Sequence, residues 1–279
     1  SCAGDVIFKL KGDVFWDRIK QESVVVSKSE LEGAIDFSDV SLKPKNNYTS
    51  LANYQGKIRF NKQQVEFEKS EGMLNSSRFI LNGSADNFFQ WAIEGDDLLR
   101  IVASVKADKL ALEEFLSTQN TSDNNNSRSL AIPGVELQLN ADIDELTYQE
   151  FKATKISTKL FIGQKSLKAN PISLEAMEGM ARGKLALIKH PSGGYGLSFM
   201  GDFEQVNVQE MFRQFKNFGQ DEIKSENIEG IADMKLNLES SINNDFELIS
   251  ESVFANANLN ITHGKLVNYT TLQSISDYL

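Results

Sequence analysis

Alternation of apolar and polar residues runs through much of this chain and limits its fold more than any other feature. Val135, Leu137, Leu139, Ala141 and Ile143 fall on one side of a strand, while Glu136, Gln138, Asn140 and Asp142 fall on the other. That period of two marks a strand with one buried and one wet face. Ala232, Met234, Leu236 and Leu238 alternate in the same way with Asp233, Lys235 and Asn237, and Ala255, Ala257, Leu259 and Ile261 alternate with Asn256, Asn258 and Asn260. Shorter versions occur at Ile35/Phe37, Ile58/Phe60, Val65/Phe67, Phe79/Leu81, Ile101/Ala103/Val105, Leu160/Ile162, Leu185/Leu187 and Leu197/Phe199, divided by Gly, Asn and Asp. Such spacing predicts a mainly β, antiparallel protein.

An antiparallel sheet with one apolar face needs something to cover that face. A second sheet does so in a sandwich, and a barrel curls the sheet on itself. In an open groove the face meets apolar ligands or a neighbouring module. Periodicity alone leaves these open, so the expected fold is a strongly curved sheet or sandwich built from repeated strand units with a few short helices. The helical candidates are Leu112–Leu116, Val208–Phe215 and Thr271–Leu279, each a lid at a sheet edge.

The segment Ser117 to Ser129, STQNTSDNNNSRS, has no large apolar residue and cannot bury surface to offset its ordering entropy. The expected organisation is therefore a first β-rich unit over 1–117, a polar linker over 118–130 and a second β-rich unit over 131–279. Two matches hint at a repeat. Leu110, Leu112, Phe115 and Leu116 can be laid over Val206, Val208, Met211 and Phe212, and Glu71-Gly72-Met73 parallels Glu178-Gly179-Met180.

Composition removes several functions. A formal charge of −10, without a Lys/Arg-rich run, disfavours a nucleic-acid backbone as partner. A single cysteine, Cys2, excludes an intrachain disulfide and a zinc site of several thiolates. No stretch of about 18 apolar residues spans a bilayer as a helix. The chain opens without an initiator Met or a signal-peptide pattern, so it is expected to be a mature form or a piece of something longer.

The search for chemistry returns no phosphate loop, nucleophile elbow, His-Glu-x-x-His or Cys-x-x-Cys. Gly193-Gly194-Tyr195-Gly196 follows Pro191 and reads as a hairpin turn. The two histidines, His190 and His263, neighbour Pro and Gly and read as punctuation. The pairs Asp96-Asp97, Glu113-Glu114 and Asp221-Glu222 read as solvated faces. Trp16 and Trp91, the latter near Phe88 and Phe89, read as core rather than a sugar platform. Neither a catalytic residue nor a metal site nor a cofactor is expected.

Phe215-Lys216-Asn217-Phe218-Gly219-Gln220-Asp221-Glu222-Ile223, Glu226-Asn227-Ile228-Glu229-Gly230 and Ala257 to Tyr269 together resemble the C-terminal region of AsmA-like proteins from Bacteroidetes. His263 stands where Asn is usual in that family, and Tyr269 where Phe is usual. The resemblance covers about Leu130 to Leu279 and extends more weakly to the Lys109–Leu116 region. It implies a periplasmic, β-rich part of an envelope protein anchored in the inner membrane by an N-terminal helix that this piece lacks. It also implies phospholipid or another apolar ligand in a β-sheet groove, outer-membrane biogenesis as the process, and outer-membrane assembly proteins as further partners. Residues expected to contact lipid are Leu137, Leu139, Ala141, Ile143, Met234, Leu236, Leu238, Leu259 and Ile261. The same residues suit a closed sandwich core. Two other functions have motivating residues. Cys2 near the N-terminus motivates a cell-surface lipoprotein domain acting as an adhesion or glycan-binding module, and the histidines motivate an envelope hydrolase.

Overall fold

A computed structural model describes residues 6–11, 30–42, 50–94, 98–116, 134–244 and 247–268. Cys2, Trp16, the Asp96-Asp97 pair, the Ser117 to Ser129 segment, Tyr269 and the Thr271–Leu279 helix candidate lie outside them. The strands are β1 (Val6–Lys11), β2 (Glu30–Leu42), β3 (Leu51–Asn61), β4 (Gln64–Leu74), β5 (Ser77–Asp86), β6 (Leu99–Ala111), β7 (Val135–Tyr148), β8 (Phe151–Ile162), β9 (Ser166–Ala176), β10 (Gly179–Lys189), β11 (Tyr195–Asn207), β12 (Ile228–Ile242) and β13 (Phe254–Leu266). Three short α-helices join them: α1 (Phe88–Glu94), α2 (Glu113–Leu116) and α3 (Val208–Gln214). The protein is mainly β, as the alternation predicts.

The hydrogen-bonded order of the strands is their order in sequence, β1 through β13, in one sheet that does not close into a barrel. Every register described is antiparallel. Of the forms the periodicity allowed, the single sheet is the one adopted. Sequential antiparallel pairing needs only short connections, and the connection from β10 to β11 shows how the sequence supplies them. His190 N–H donates to the Gly194 carbonyl at 3.0 Å and Gly193 N–H donates to the His190 carbonyl at 3.1 Å, and Gly193 and Gly194 take φ of 99° and 72°, which a side chain would resist.

Described residues among 1–109, 114–142 and 159–168 form one compact unit, and those among 110–113, 143–158 and 169–279 form another. Each has its own apolar cluster. In the first, Phe60, Val65, Ala85, Leu99 and Val135 are buried, and α1 adds Phe88, Phe89 and Trp91. Phe89 meets Phe60 edge-on at 5.7 Å, so these half-buried aromatics pack against the core rather than standing free. In the second, Ala153, Ile156, Ala176, Met177, Val206 and Ala232 are buried beneath α3, which contributes Val208 and Met211. Asn207 caps α3 by accepting from the Glu210 N–H at 3.2 Å, and Arg213 donates to Glu210 at 2.6 Å.

Bulges interrupt the alternation. Register shifts fall between Phe37 and Val40, Ala52 and Gln55, Phe67 and Ser70, and Phe203 and Val206. At each a residue other than glycine takes left-handed φ: Asp39 (54°), Asn53 (51°), Lys69 (47°) and Gln205 (54°). Two of these bulges are closed by a side chain from the next strand. Asn82 Oδ1 accepts from Lys69 N–H, and Asp233 Oδ1 accepts from Gln205 N–H, both at 2.9 Å. The extra residue switches the inward positions from odd to even numbers. In β11, Phe199 and Phe203 point to the apolar face before the bulge, and fully buried Val206 does so after it.

The paired strand-to-helix ends also reappear. The 13-residue strand β6 runs into α2, and the 13-residue strand β11 runs into α3. The Glu-Gly-Met triplets occupy different places: Gly72 lies within β4 before the hairpin, whereas Gly179 opens β10.

Candidate functional site

In the second unit the alternating residues of four strands meet rung by rung. Leu185 of β10 faces Phe199 of β11, which faces Leu238 of β12, which faces Ala255 of β13. The next rungs are Gly183, Gly201, Leu236 and Ala257, then Ala181, Phe203, Met234 and Leu259. Directly opposite side chains on one face lie about 4.5–5.5 Å apart at Cβ, so these rows form one continuous apolar surface. Its cover is uneven. At the α3 end Val206, Val208 and Ala232 are fully buried. Leu185, Leu187, Leu197, Phe199, Leu236 and Leu238 are only half-buried, and β13 is exposed along its length. No helix is described over that part of the face.

The first unit repeats the arrangement. Phe60, Val65 and Ala85 lie under α1, while Phe37, Tyr54 and Phe79 form a half-buried aromatic row, with ring centroids 6.1 Å apart from Phe37 to Tyr54 and 6.4 Å from Tyr54 to Phe79. Leu81 pairs with Val105 beside it.

The opposite face is wet. Ion pairs cross neighbouring strands there: Arg182 with Glu204 at 2.9 Å and Lys235 with Asp202 at 3.8 Å in one unit, Lys57 with Asp36 at 3.4 Å and Arg78 with Glu71 at 3.2 Å in the other. A depression of about 450 Å³ on the first unit is edged by Asp36, Lys57, Arg59 and Glu66. A second, of about 380 Å³, is edged by Lys184, Asp202 and Lys235. Hydrogen bonds from Gln55 and Arg78 hold the Glu71 carboxyl below the usual glutamate range. Arg213 does the same for Glu210, aided by Gln214 and opposed by desolvation.

The residues expected to contact lipid fall as follows. Met234, Leu236, Leu238, Leu259 and Ile261 share the apolar face of β12 and β13, with Met234 opposite Leu259 and Ala232 opposite Ile261. Ile143 and Met234 pack against the α3-covered cluster. On β7, Ala141 is buried and Leu137 and Leu139 are half-buried. Sequence reading passed over Leu185, Leu187, Leu197, Phe199 and Phe203 as lining residues. Their alternation marks them as strand, but only the pairing register shows that they continue the Leu236 and Leu238 rows.

Reactive side chains are scattered. His190 sits in the β10–β11 hairpin, and His263 is the left-handed residue of a bulge in β13, φ 54°. Glu113 accepts from the Gln149 N–H, whereas Glu114 accepts from Ser76 Oγ at 2.6 Å. Among the described residues no three His, Cys, Asp or Glu groups gather as a metal site, and no helix is long and apolar enough to cross a membrane. The segment carrying the family resemblance forms a tight left-handed turn, with Lys216, Asn217 and Phe218 at φ of 51–55°. Asn217 Oδ1 accepts from Ser225 N–H at 2.9 Å, and Phe218 packs edge-on against Phe212 at 5.1 Å. Compared with protein-family models, curated proteins and solved structures, the chain matches none.

Proposed function

We propose that this chain is a non-catalytic module of an AsmA-like envelope protein, binding or guiding phospholipid for outer-membrane biogenesis along the apolar face of its sheet. One observation carries the reading: the rows through Leu185, Phe199, Leu238 and Ala255 continue past the α3-covered cluster as half-buried and then exposed apolar surface. Acyl chains ask for contiguous apolar area and little directional chemistry, and monomeric proteins seldom expose such an area without use. In this reading the module works in the periplasm of a Gram-negative envelope, its parent is anchored in the inner membrane, and outer-membrane assembly proteins are further partners.

The test is uptake of a fluorescent phospholipid by the purified chain, with native mass spectrometry for copurifying lipid. Phe199→Asp and Leu238→Asp, each placing a charge on the half-buried row, are expected to abolish uptake while leaving the far-ultraviolet spectrum unchanged. If the unaltered chain carries no copurifying lipid and takes up no fluorescent phospholipid, the reading is overturned.

A further inference from the structure

β13 ends the strand order, and its outer edge has no partner strand among the described residues. All 13 residues of the strand are exposed, with Phe254 at 68%, Leu259 at 46% and Ile261 at 40%. Edge strands usually carry protection against pairing with another chain, in the form of charges, proline, short length or a bulge. Phe254–Thr262 has none: it holds no charged residue and no proline, the bulge comes only at His263, and the strand's one strong charge is Lys265. A regular ladder of backbone donors and acceptors is left ready for strand addition.

We infer that this edge pairs with the same edge of a second copy of the chain, antiparallel about a two-fold axis through Asn258. Three observations select a second copy. A chain with a net charge of −10 repels itself over most of its surface, yet Phe254–Thr262 carries no charge to oppose close approach. In the register centred on Asn258, Ala255 faces Ile261 of the other copy and Ala257 faces Leu259, so each small side chain meets a large one. On the other face Asn256 meets Asn260 and Asn258 meets itself, and amides supply both donor and acceptor to such pairs. Both copies direct the Ala255–Ile261 row to the same side, as an isologous contact requires. The apolar rows of β10–β13 then continue from one copy into the next.

The experiment uses the full chain with Cys2→Ser, so that no native thiol competes. Sedimentation equilibrium is expected to show a reversible dimer, and Asn258→Cys is expected to form a disulfide-linked dimer under mild oxidation. Directly opposed strand residues have Cα atoms about 4.5–5.5 Å apart, within disulfide reach. Asn256→Cys is the register control: its copies lie four residues apart along the strands, about 13 Å, and are expected to stay unlinked. Leu259→Lys, a change at an exposed position, is expected to leave the fold intact and the chain monomeric. A monomer at every concentration overturns the inference, as does equal linking at positions 256 and 258 or a dimer unaffected by Leu259→Lys. No lipid enters these measurements, so their outcome is separate from that of the uptake assay.

Discussion

Met211, on the inner side of α3, belongs to the helix-covered cluster of the second unit and Leu238 lies on the apolar face beyond it, and their truncation to alanine measures that difference. Met211 is 6% exposed and touches the cluster formed by Val206, Val208 and Ala232. Met211→Ala leaves a cavity that packed neighbours fill only partly, and such changes cost about 2–5 kcal/mol. Leu238 is half-buried, with Phe199 and Ala255 as its neighbours across the strands. Leu238→Ala removes three carbons worth about 0.8 kcal/mol each when fully buried. With half of that surface already wet, and water free to enter the space, about 1 kcal/mol is lost. The expected gap of about 2 kcal/mol is close to thirty-fold in the opening equilibrium. Because the chain divides into two compact units, a single global unfolding signal does not isolate the second one. Hydrogen exchange of peptides from β11 and β12 reports the unit concerned. A Leu238→Ala chain that opens as readily as Met211→Ala would mean that the face is closed in solution, and would remove the surface on which the phospholipid proposal rests.

Three further outcomes follow from local geometry. A Cβ on Gly179 would lie 2.5 Å from the Glu204 carbonyl oxygen and 2.8 Å from the Gln205 carbonyl carbon. Both are backbone atoms, so Gly179→Ala is expected to destabilise the second unit by about 1–3 kcal/mol, read from its urea midpoint; no change would show that β10 and β11 can part at the bulge without cost. His263→Gly relieves a left-handed φ of 54° at an exposed site and is expected to raise stability by about 0.5–1 kcal/mol, whereas a lower midpoint would reveal an anchoring role for the imidazole. The Glu210–Arg213 pair is worth about 0.2–0.5 kcal/mol as an i,i+3 contact. Because the Glu210 carboxyl is held below its usual range, the contribution is complete above that range and disappears as the pH falls through the lowered value. Glu210→Gln should therefore lower the neutral-pH midpoint and match the unaltered chain in strong acid, and a deficit that persists in acid would assign the loss to packing.

How much of this architecture the sequence shows depends on where its alternation stays in phase. Ala232 to Leu238 and Ala255 to Ile261 keep strict period and both prove to be strands paired in register, but β13 is exposed on both faces where the alternation predicts one buried face. α3 was legible because Met211, Phe212 and Phe215 recur at helical spacing, although the helix ends at Gln214; its Asn207 cap is seen only in the structure. α1 was not. Phe88, Phe89 and Trp91 sit too close together to show a polar face, and their packing onto Phe60 is tertiary information. The bulges were hidden for a different reason: a left-handed Lys69 or Gln205 carries no composition signal. Their trace is the change of phase itself, from Val65 and Phe67 to Ser70, and from Phe203 to Val206. The candidate surface was half visible for the same reason, since Leu185 and Phe199 join Leu238 only through the register.

Those phase changes also explain why the apolar face is divided into covered and uncovered parts. In β11 the rows that stay in phase, Leu197 to Phe203, lead away from α3, and only the extra residue at Gln205 turns Val206 inward to meet Val208 and Met211. Without the bulge Val206 would fall on the side of Asp202 and Glu204, and α3 would begin with its apolar residues facing water. In β4 the bulge at Lys69 separates Val65 and Phe67, which belong to the α1 cluster, from Ser70 and Gly72, which pair with Leu81 and Phe79 beyond it. In the second unit the bulge marks where the helix-covered cluster gives way to half-buried rows, whereas in the first Ser70 and Gly72, just past the bulge, are themselves buried. A helix of seven residues, as both α1 and α3 are, spans only about 10 Å, which is too short to cover strands of 11–15 residues such as β10, β11 and β12. The chain thus places a dry, tightly packed end and a half-wet apolar end on the same strands. Cover over Leu236 and Leu238 would close the second end, gaining stability at the expense of the surface proposed for acyl chains.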